Sequence, residues 1–267
     1  MLTGPGEPWA TLVLSFALLL GLFIAMWCLT IRTRDAGAID IIWGPGFALI
    51  AWVEWLRLGP RHLTALMVLT CVTLWGARLG MHLFRRHRLS DREDARYAAM
   101  RAADPDRFWW KSLFTVFVLQ AVILFGLALP IHLAMTRNSA ALPGALTYLG
   151  LTLFAVGFLL EAAADNALLH FRRDPGNRGK LLTSGPFAWS RHPNYFGECA
   201  LWTGIGLMAW DASGHWFAMA GPVALTALIL KVSGIPLLEN HLRRTRPEYA
   251  DYANRTSAFV PWPPRRS

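Results

Sequence analysis

The sequence predicts an all-α integral membrane protein with seven transmembrane helices, its N-terminus outside and its C-terminus inside, and short cytosolic helices and loops. Hydrophobic residues make up 54% of the 267 residues and charged residues only 16%, whereas soluble domains carry about 25% charged residues. The apolar residues fall in blocks of about 20, the length that an α-helix needs to cross a hydrocarbon layer about 30 Å thick. The composition therefore excludes a soluble globular protein.

Seven apolar segments are predicted to span the membrane, and polar or basic residues separate them. These segments are 9–31, 38–57, 62–84, 112–135, 143–171, 193–211 and 214–236. The first segment is longer than the apolar core of a cleaved signal peptide and lacks a basic stretch before it, so we expect it to be retained. In the loop after the third segment, Ser90 and Glu93 are predicted to cap the start of a short helix.

The basic residues determine the predicted orientation. Of the 26 Lys and Arg residues, 21 lie in every second segment between the predicted spans, counting the C-terminal tail, and three lie in the remaining segments. The other two, Arg78 and Lys231, lie within spans. The basic segments are 32–37, 85–111, 172–192 and the C-terminal tail. Since cytoplasmic loops carry an excess of Lys and Arg, these segments are placed inside. Their charge accounts for the net charge of +9, so membrane lipids with anionic headgroups, and not nucleic acid, are the expected partners.

The fifth predicted span carries ionisable side chains at helical spacing. Glu161, Asp165 and Arg172 are four and seven residues apart, so they share one stripe of a helix. Glu161 lies about 16 Å deeper than Arg172 at 1.5 Å per residue. Charged groups in a span are costly unless they face protein or water, and they commonly mark a functional interior. The structural alternative is a buried ladder of ion pairs that only holds helices together.

The sixth predicted span begins with Asn194 and Glu198, one helical turn apart. Pro193 suits the first turn of a helix, and the free backbone N–H groups at such an end favour an anion such as a phosphate. Further donors near this end are Lys180, Arg191 and His192. Together with the stripe on the fifth span, these residues predict a pocket that is cationic at its mouth and lined by carboxylates deeper in, which suits a nucleotide cofactor.

The first three spans hold weaker candidates. Asp40, Trp43 and Phe47 lie close together and could line a slot for a flat lipid, although aromatic residues in a span usually serve packing. Glu54 near the end of its span is either a functional carboxylate of the protein interior or an interfacial carboxylate that reaches towards water. His82 could be a core histidine. The three cysteines and the histidines show no metal-ligand spacing, and no glycine-rich nucleotide fingerprint occurs.

Two motifs resemble the C-terminal region of steroid 5-alpha-reductases and their bacterial relatives. They are Leu182-Thr-Ser-Gly-Pro-Phe-Ala-Trp-Ser-Arg-His-Pro-Asn-Tyr-Phe-Gly-Glu198 and Gly234-Ile-Pro-Leu-Leu-Glu239, followed by a tyrosine-rich basic tail that ends in Val260-Pro261. Sterol delta-14 and delta-7 reductases share this C-terminal half of the chain. The resemblance is strong over about residues 145–262. In the N-terminal half it is weaker and depends on Asp40-Ile-Ile-Trp-Gly44, on Arg78 to Arg86 and on Glu93-Asp-Ala-Arg-Tyr97.

The sequence shows no internal repeat and no low-complexity linker, so one transmembrane domain, 1–267, is predicted. The resemblance implies a multi-pass protein of the bacterial inner membrane. Residues 1–140 would face the substrate, and residues 141–267 would bind NADPH from the cytoplasm. The implied activity is that of an oxidoreductase acting on CH–CH groups: reduction of the conjugated double bond of a 3-oxo-4-ene steroid or a similar enone lipid. The cofactor contacts that the resemblance implies are Asp165, Arg172, Lys180, Arg191, His192, Asn194, Tyr195, Glu198, Glu239 and His241. Glu161, which shares the stripe on the fifth span with Asp165 and Arg172, is predicted to join them.

In this family a carboxylate and a tyrosine of the N-terminal half polarise the ketone. Glu54 is similar to that carboxylate in its position on the second span, and with Asp40, Trp43 and Phe47 it would contact the substrate. Leu83 stands where the animal enzymes have the tyrosine. His82 and Tyr97 are therefore the candidate proton donors beside Glu54.

Two alternatives stay open at this point. Isoprenylcysteine carboxyl methyltransferases share an Arg-His-Pro-x-Tyr motif and a tyrosine-rich tail but bind S-adenosylmethionine. They favour a paired Glu-Glu where this chain has Glu239-Asn240. A seven-span receptor or transporter would explain the topology but not the basic loop around Arg191. The sequence does not define the oligomeric state.

Overall fold

The computed structural model describes residues 7–59, 62–89, 93–136 and 142–265. Over these residues the chain forms helices and no strand, with a single isolated bridge between Ser190 and Ser257, so the predicted all-α class is confirmed. The α-helices are α1 Pro8–Thr33, α2 Trp43–Leu58, α3 Leu63–Arg88, α4 Ala95–Ala103, α5 Phe108–Ser112, α6 Leu119–Leu127, α7 Leu129–Thr136, α8 Ala145–Arg173, α9 Pro193–Ser213, α10 Ala220–Lys231, α11 Ile235–Thr245 and α12 Tyr249–Arg255.

Six helical segments of the described residues are long and apolar enough to cross a membrane. They are Pro8–Thr33, Ala36–Leu58, Leu63–Arg88, Phe108–Leu127, Ala145–Arg173 and Trp216–Thr245. Each overlaps one predicted span, which supports the assignment as an integral membrane protein. The remaining predicted span, 193–211, forms helix α9 but is not one of the six. The count of seven spans and the N-out, C-in orientation therefore stay predictions.

Helix α9 is polar for a membrane span because much of its surface faces protein. Of its 21 residues, 12 are buried, and it packs against α3, α7, α8 and α10. Asn194 and Glu198 near its start face a cavity. Asp211 near its end accepts hydrogen bonds from the Gly144 N–H at 2.6 Å and the Thr147 hydroxyl at 2.5 Å. This carboxylate thereby stabilises the N-terminus of α8, where negative charge is favourable.

Helices α8 and α9 approach each other closely because glycines face each other across the interface. A Cβ atom added at Gly157 would lie 2.5 Å from the carbonyl oxygen of Gly197. Seven residues along each helix, a Cβ at Gly204 would lie 2.3 Å from the carbonyl oxygen of Gly150. Small residues at such a seam let backbones approach closely. The contact sets the acidic stripe of α8 against the first turns of α9.

We expect Gly197→Val to lower the free energy of unfolding by about 1–3 kcal/mol, because overpacking a close interface forces the backbones apart. A Cβ there would lie 2.6 Å from the Gly157 carbonyl oxygen and 2.7 Å from the Glu161 nitrogen. Gly21→Val on α1 is the matched control, since a Cβ there meets nothing within 4 Å. Thermal melting of the purified variants in detergent measures the effect. Equal melting of both variants would contradict the close contact.

The loop between α3 and α4 is anchored to the end of α1. Helix α4 begins at Ala95 with Asp94 as its N-cap, whose Oδ1 accepts from the Arg96 N–H at 3.0 Å. Glu93 therefore precedes the helix, and the predicted start at Ser90 lies outside the described residues. Glu93 instead accepts a hydrogen bond from the Ala36 N–H at 2.8 Å. This contact joins the α4 segment to the chain that follows α1.

Candidate functional site

A cavity of about 570 Å³ opens at the end of the helix bundle that carries the basic loops, which we call the basic end. Its walls come from the start of α2 and the turn before it, the end of α3, the start of α4, the last turns of α8, the first turns of α9 and the segment from Ser233 to His241. The volume lies within the range of about 300–1,000 Å³ typical of small-molecule and cofactor sites.

Side chains of α3, α8 and α9 are joined by ion pairs and hydrogen bonds at the floor of this cavity and directly behind it. Arg78 of α3 forms ion pairs with Glu161 and Asp165, the latter at 2.5 Å. Both carboxylates are nearly buried, at 2% and 6% exposure. Trp75 donates its indole N–H to Glu161 at 3.1 Å, and Asn194 donates its amide to Asp165 at 3.2 Å. The stripe is thus a ladder of ion pairs that also borders a cavity.

Glu198 completes the floor one helical turn beyond Asn194. It lines the cavity, and among the described residues its side chain makes no hydrogen bond or ion pair within bonding distance. The floor therefore holds three carboxylates, those of Glu161, Asp165 and Glu198, against the single guanidinium of Arg78. A buried excess of negative charge is costly, so this floor favours a bound proton or a hydrogen-bond donor from a ligand.

The mouth of the cavity is cationic. Arg86 and Arg96 each lie 3.5 Å from Asp40, and Arg96 also pairs with Asp94 at 2.9 Å. Burial alone would raise the pKa of Asp94, but the hydrogen bonds from Arg96 hold that pKa below its ordinary value. Arg172 lines the mouth and forms no ion pair or side-chain hydrogen bond within the described part of the chain. Its guanidinium is therefore available to an anion.

Seven of the eleven predicted cofactor residues line this cavity. They are Glu161, Asp165, Arg172, Asn194, Tyr195, Glu198 and His241. The sequence analysis counted Arg86 and Arg96 among the basic residues and within the weaker resemblance but did not assign them to the cofactor, although both line the mouth. The signal that could have found them is the helical spacing of Arg86 with His82 and the position of Arg96 at a predicted helix start.

The other four predicted cofactor residues do not line the cavity. Lys180 is exposed, and Arg191, His192 and Glu239 form a separate cluster. Arg191 donates to Glu239 at 2.7 and 2.9 Å and to the carbonyl oxygens of Ala253 and Thr256 at 2.9 and 2.7 Å.

The cluster is completed by His192, whose Nε2 lies 3.2 Å from a Glu239 oxygen. Burial lowers the pKa of His192 although Glu239 opposes the shift. Because its donors bond Glu239 and backbone carbonyls, Arg191 holds the C-terminal segment against the start of α9.

In the N-terminal half, Asp40, Trp43 and His82 line the cavity, and Phe47 does not. The ring of Phe47 packs against Trp75 and Trp202 at centroid distances of 5.7 and 4.6 Å, which is the packing role that the sequence left open.

Tyr97 does not line the cavity, but hydrogen bonds through Gln120 connect it to Trp43, which does. Trp43 donates to Gln120 at 2.5 Å, and Gln120 donates to the Tyr97 hydroxyl at 3.0 Å. Burial raises the pKa of Tyr97 to about 12.

Glu54 is fully buried and lies away from the cavity, eleven residues beyond Trp43 on α2 or about 16 Å along the helix. It is therefore not an interfacial carboxylate. Its Oε1 accepts from Ser15 at 3.2 Å and lies 2.5 Å from Nδ1 of His132, a partner that sequence reasoning missed. Glu54, His82 and Tyr97 are thus not brought together. No cluster of His, Cys, Asp and Glu in the described ranges is arranged to hold a metal ion.

Comparison with known proteins places the chain in a family. The model of the family described as "Protein of unknown function (DUF1295)" matches residues 26–256. An uncharacterized protein of Schizosaccharomyces pombe is 28% identical over 267 aligned residues, 88% of this chain and 75% of its own. Bovine 3-oxo-5-alpha-steroid 4-dehydrogenase 1 is 35% identical over 71 residues, 26% of this chain and 27% of that enzyme.

The cobalt-zinc-cadmium resistance protein CzcN of Cupriavidus metallidurans is 35% identical over 81 residues, 30% of this chain and 35% of its own. No solved structure matches. The two short matches cover about a third or less of each protein, whereas the family model covers most of this chain. The chain belongs to the DUF1295 family, which is related to the steroid 5-alpha-reductases.

Proposed function

We propose that this membrane protein is an NADPH-dependent reductase of the conjugated double bond of a 3-oxo-4-ene steroid or a similar enone lipid. The observation that carries the proposal is the cavity at the basic end, with arginines at its mouth and carboxyl and amide groups on its floor. The partial similarity to steroid 5-alpha-reductases supports the same reaction class.

The residues present fit NADPH. Arg86, Arg96 and Arg172 would hold its phosphates, because arginine pairs strongly with phosphate oxygens. The start of α9, at Asn194 and Tyr195, also borders the cavity and adds the positive end of a helix to it. Asn194 and Glu198 on the floor offer the amide and carboxyl groups that hydrogen-bond a carboxamide or a sugar hydroxyl. When bound, NADPH supplies the hydride that adds to the β-carbon of the enone.

The chain must also polarise the ketone and deliver one proton to the α-carbon. His82 and Glu198 both border the cavity, and His82 lies 3.8 Å from Asp165. A hydrogen bond from either group to the ketone oxygen would stabilise the negative charge that develops there. The hydride and this proton together account for the two hydrogens added to the double bond. Glu54 takes no part in this scheme because it lies away from the cavity.

The binding test uses Asn194→Ala. We expect this variant to stay folded and to raise the Kd for NADPH about tenfold or more, since a hydrogen-bonding group of the floor is lost. Asn166→Ala on the exposed face of α8 is the matched control. Titration of the purified proteins in detergent gives both affinities. An unchanged affinity in Asn194→Ala would count against the assignment of this cavity.

The activity test follows NADPH absorbance while a panel of enone steroids and other enone lipids is added to the purified protein. Consumption of NADPH that depends on the enone, with the saturated ketone as the product, is expected. Binding of NADPH with no turnover of any enone in the panel would contradict the reductase and leave only the cofactor site.

The charge of the floor also favours a second candidate, a methyltransferase that binds S-adenosylmethionine. Three carboxylates against one guanidinium would suit the cationic sulfonium of that cofactor. It carries one carboxylate and no phosphate, however, so it would offer the three arginines of the mouth fewer anionic groups than NADPH does. Thermal melting with each cofactor separates the two: NADPH should raise the melting temperature and S-adenosylmethionine should not. The reverse result would favour the methyltransferase.

A further inference from the structure

A second cavity, of about 440 Å³, lies at the same end of the bundle and shares no lining residue with the first. It sits between the end of α1, the end of α4 and the start of α5. Helix α1 and the segment Phe108–Leu127 are both candidate membrane spans. The second cavity therefore lies where two neighbouring spans reach the membrane surface.

Two arginines give this cavity its charge. Arg34 and Arg101 line it, and no acidic side chain of the described residues does. Arg101 is held in place by Glu93, at 2.8 and 3.1 Å, and its guanidinium stacks 4.4 Å from the centre of the Phe108 ring. Its orientation is thus fixed before any ligand binds.

Arg34 has no such partner. Within the described ranges its side chain forms no hydrogen bond or ion pair, although it lines a cavity beside another cation. It is also the single non-glycine residue of the described chain with a positive φ, at 54°. Arg34 is the C-cap of α1, and a left-handed residue is a common end of a helix, so the helix terminus accounts for this conformation. An unpaired guanidinium held next to a second cation is suited to an anion.

The side of the cavity towards the membrane core carries exposed apolar side chains beside Thr30 and Ser112, whose hydroxyls are bonded to backbone carbonyls of their own helices. Ile31 and Trp109 line it with 39% and 55% of their surface exposed. The backbone at Trp109 is fixed by a 2.9 Å hydrogen bond from the Trp27 indole to its carbonyl oxygen. A ligand here would therefore place an anionic group between the two arginines and an apolar chain along Ile31 and Trp109. A free phosphate would leave that apolar surface uncovered.

We propose that the second cavity binds the phosphate headgroup of an anionic phospholipid, with its acyl chains along α1 and α5. Basic pockets between membrane helices are known to take such headgroups. The site does not depend on the reductase proposal, because it shares no lining residue with the cofactor cavity.

The test counts lipids retained by the purified protein in native mass spectrometry, with phosphatidylglycerol and phosphatidylcholine supplied in equal amounts. The wild-type protein should retain phosphatidylglycerol preferentially. Arg34→Gly should weaken that retention about fivefold, the effect expected of one basic residue at the membrane surface. Glycine suits a φ of 54°, so this variant removes the guanidinium without a folding cost. Arg32→Ala, an exposed arginine outside the cavity, is the matched control and should retain the lipid.

Equal retention of the two lipids by the wild-type protein would overturn the proposal. So would equal losses in Arg34→Gly and Arg32→Ala, since that result would indicate general attraction of the basic surface. Release of phosphatidylglycerol by an excess of inorganic phosphate alone would assign the cavity to a free anion. An unchanged affinity of Arg34→Gly for NADPH would confirm that the two cavities act separately.

Discussion

Arg78→Ala is expected to lower the free energy of unfolding by about 3–5 kcal/mol, because removing one partner of a buried ion pair leaves an uncompensated charge. Arg78 pairs with both Glu161 and Asp165, so its loss leaves two nearly buried carboxylates without a cation. Arg85→Ala is the matched control, since Arg85 is an exposed arginine of the same helix without an ion pair in the described chain. Thermal melting in detergent measures both.

A double variant separates the charge of Arg78 from its packing. Adding Glu161→Gln to Arg78→Ala removes one of the uncompensated carboxylates and should recover part of the lost stability. The two substitutions would then be non-additive, as expected for residues in contact. If Arg78→Ala melts like the wild-type protein, or if Glu161→Gln recovers nothing in that background, the ion pairs do not stabilise the bundle as the structure indicates.

Arg172→Ala should raise the Kd for NADPH about tenfold to a hundredfold, because a hydrogen bond to a charged group contributes about 1.5–3 kcal/mol. Arg172 is the cation at the mouth that lacks a protein partner in the described ranges, so its guanidinium loses no ion pair on binding a phosphate. The melting temperature without cofactor should change little, since no described contact depends on this side chain.

The neighbouring Arg173 is exposed and lies outside the cavity, so Arg173→Ala is the matched control. Both affinities are measured by titration at low and at high salt. Salt screens charges at an exposed mouth, so the difference between the variants should shrink as salt rises. Equal affinities of Arg172→Ala and Arg173→Ala at low salt would contradict the assignment of the phosphate end.

The parts of the fold that depend on local sequence could be predicted. Hydropathy located six of the apolar helices, since a membrane span requires a continuous apolar stretch. Helical spacing placed Glu161, Asp165 and Arg172 on one face of α8. Hydropathy also predicted a span at 193–211, but α9 is not among the six long apolar helices, because it carries polar residues and most of it packs against protein.

The parts of the site that depend on contacts between distant segments could not be predicted. Arg191 was assigned to the cofactor because it precedes a helix N-terminus, but the C-terminal segment and Glu239 bind its donors. Glu54 is paired with His132, 78 residues away. Nothing in the periodicity of either helix reports which helices are neighbours, so partners of this kind appear only in the structure.

The most direct test of the central claim is a structure of the purified protein incubated with NADPH. The expected result is cofactor in the cavity at the basic end, with its phosphates beside Arg172 and Arg86 and its nicotinamide end towards Asn194 and Glu198. NADPH bound elsewhere, or a lipid filling this cavity in its place, would contradict the claim.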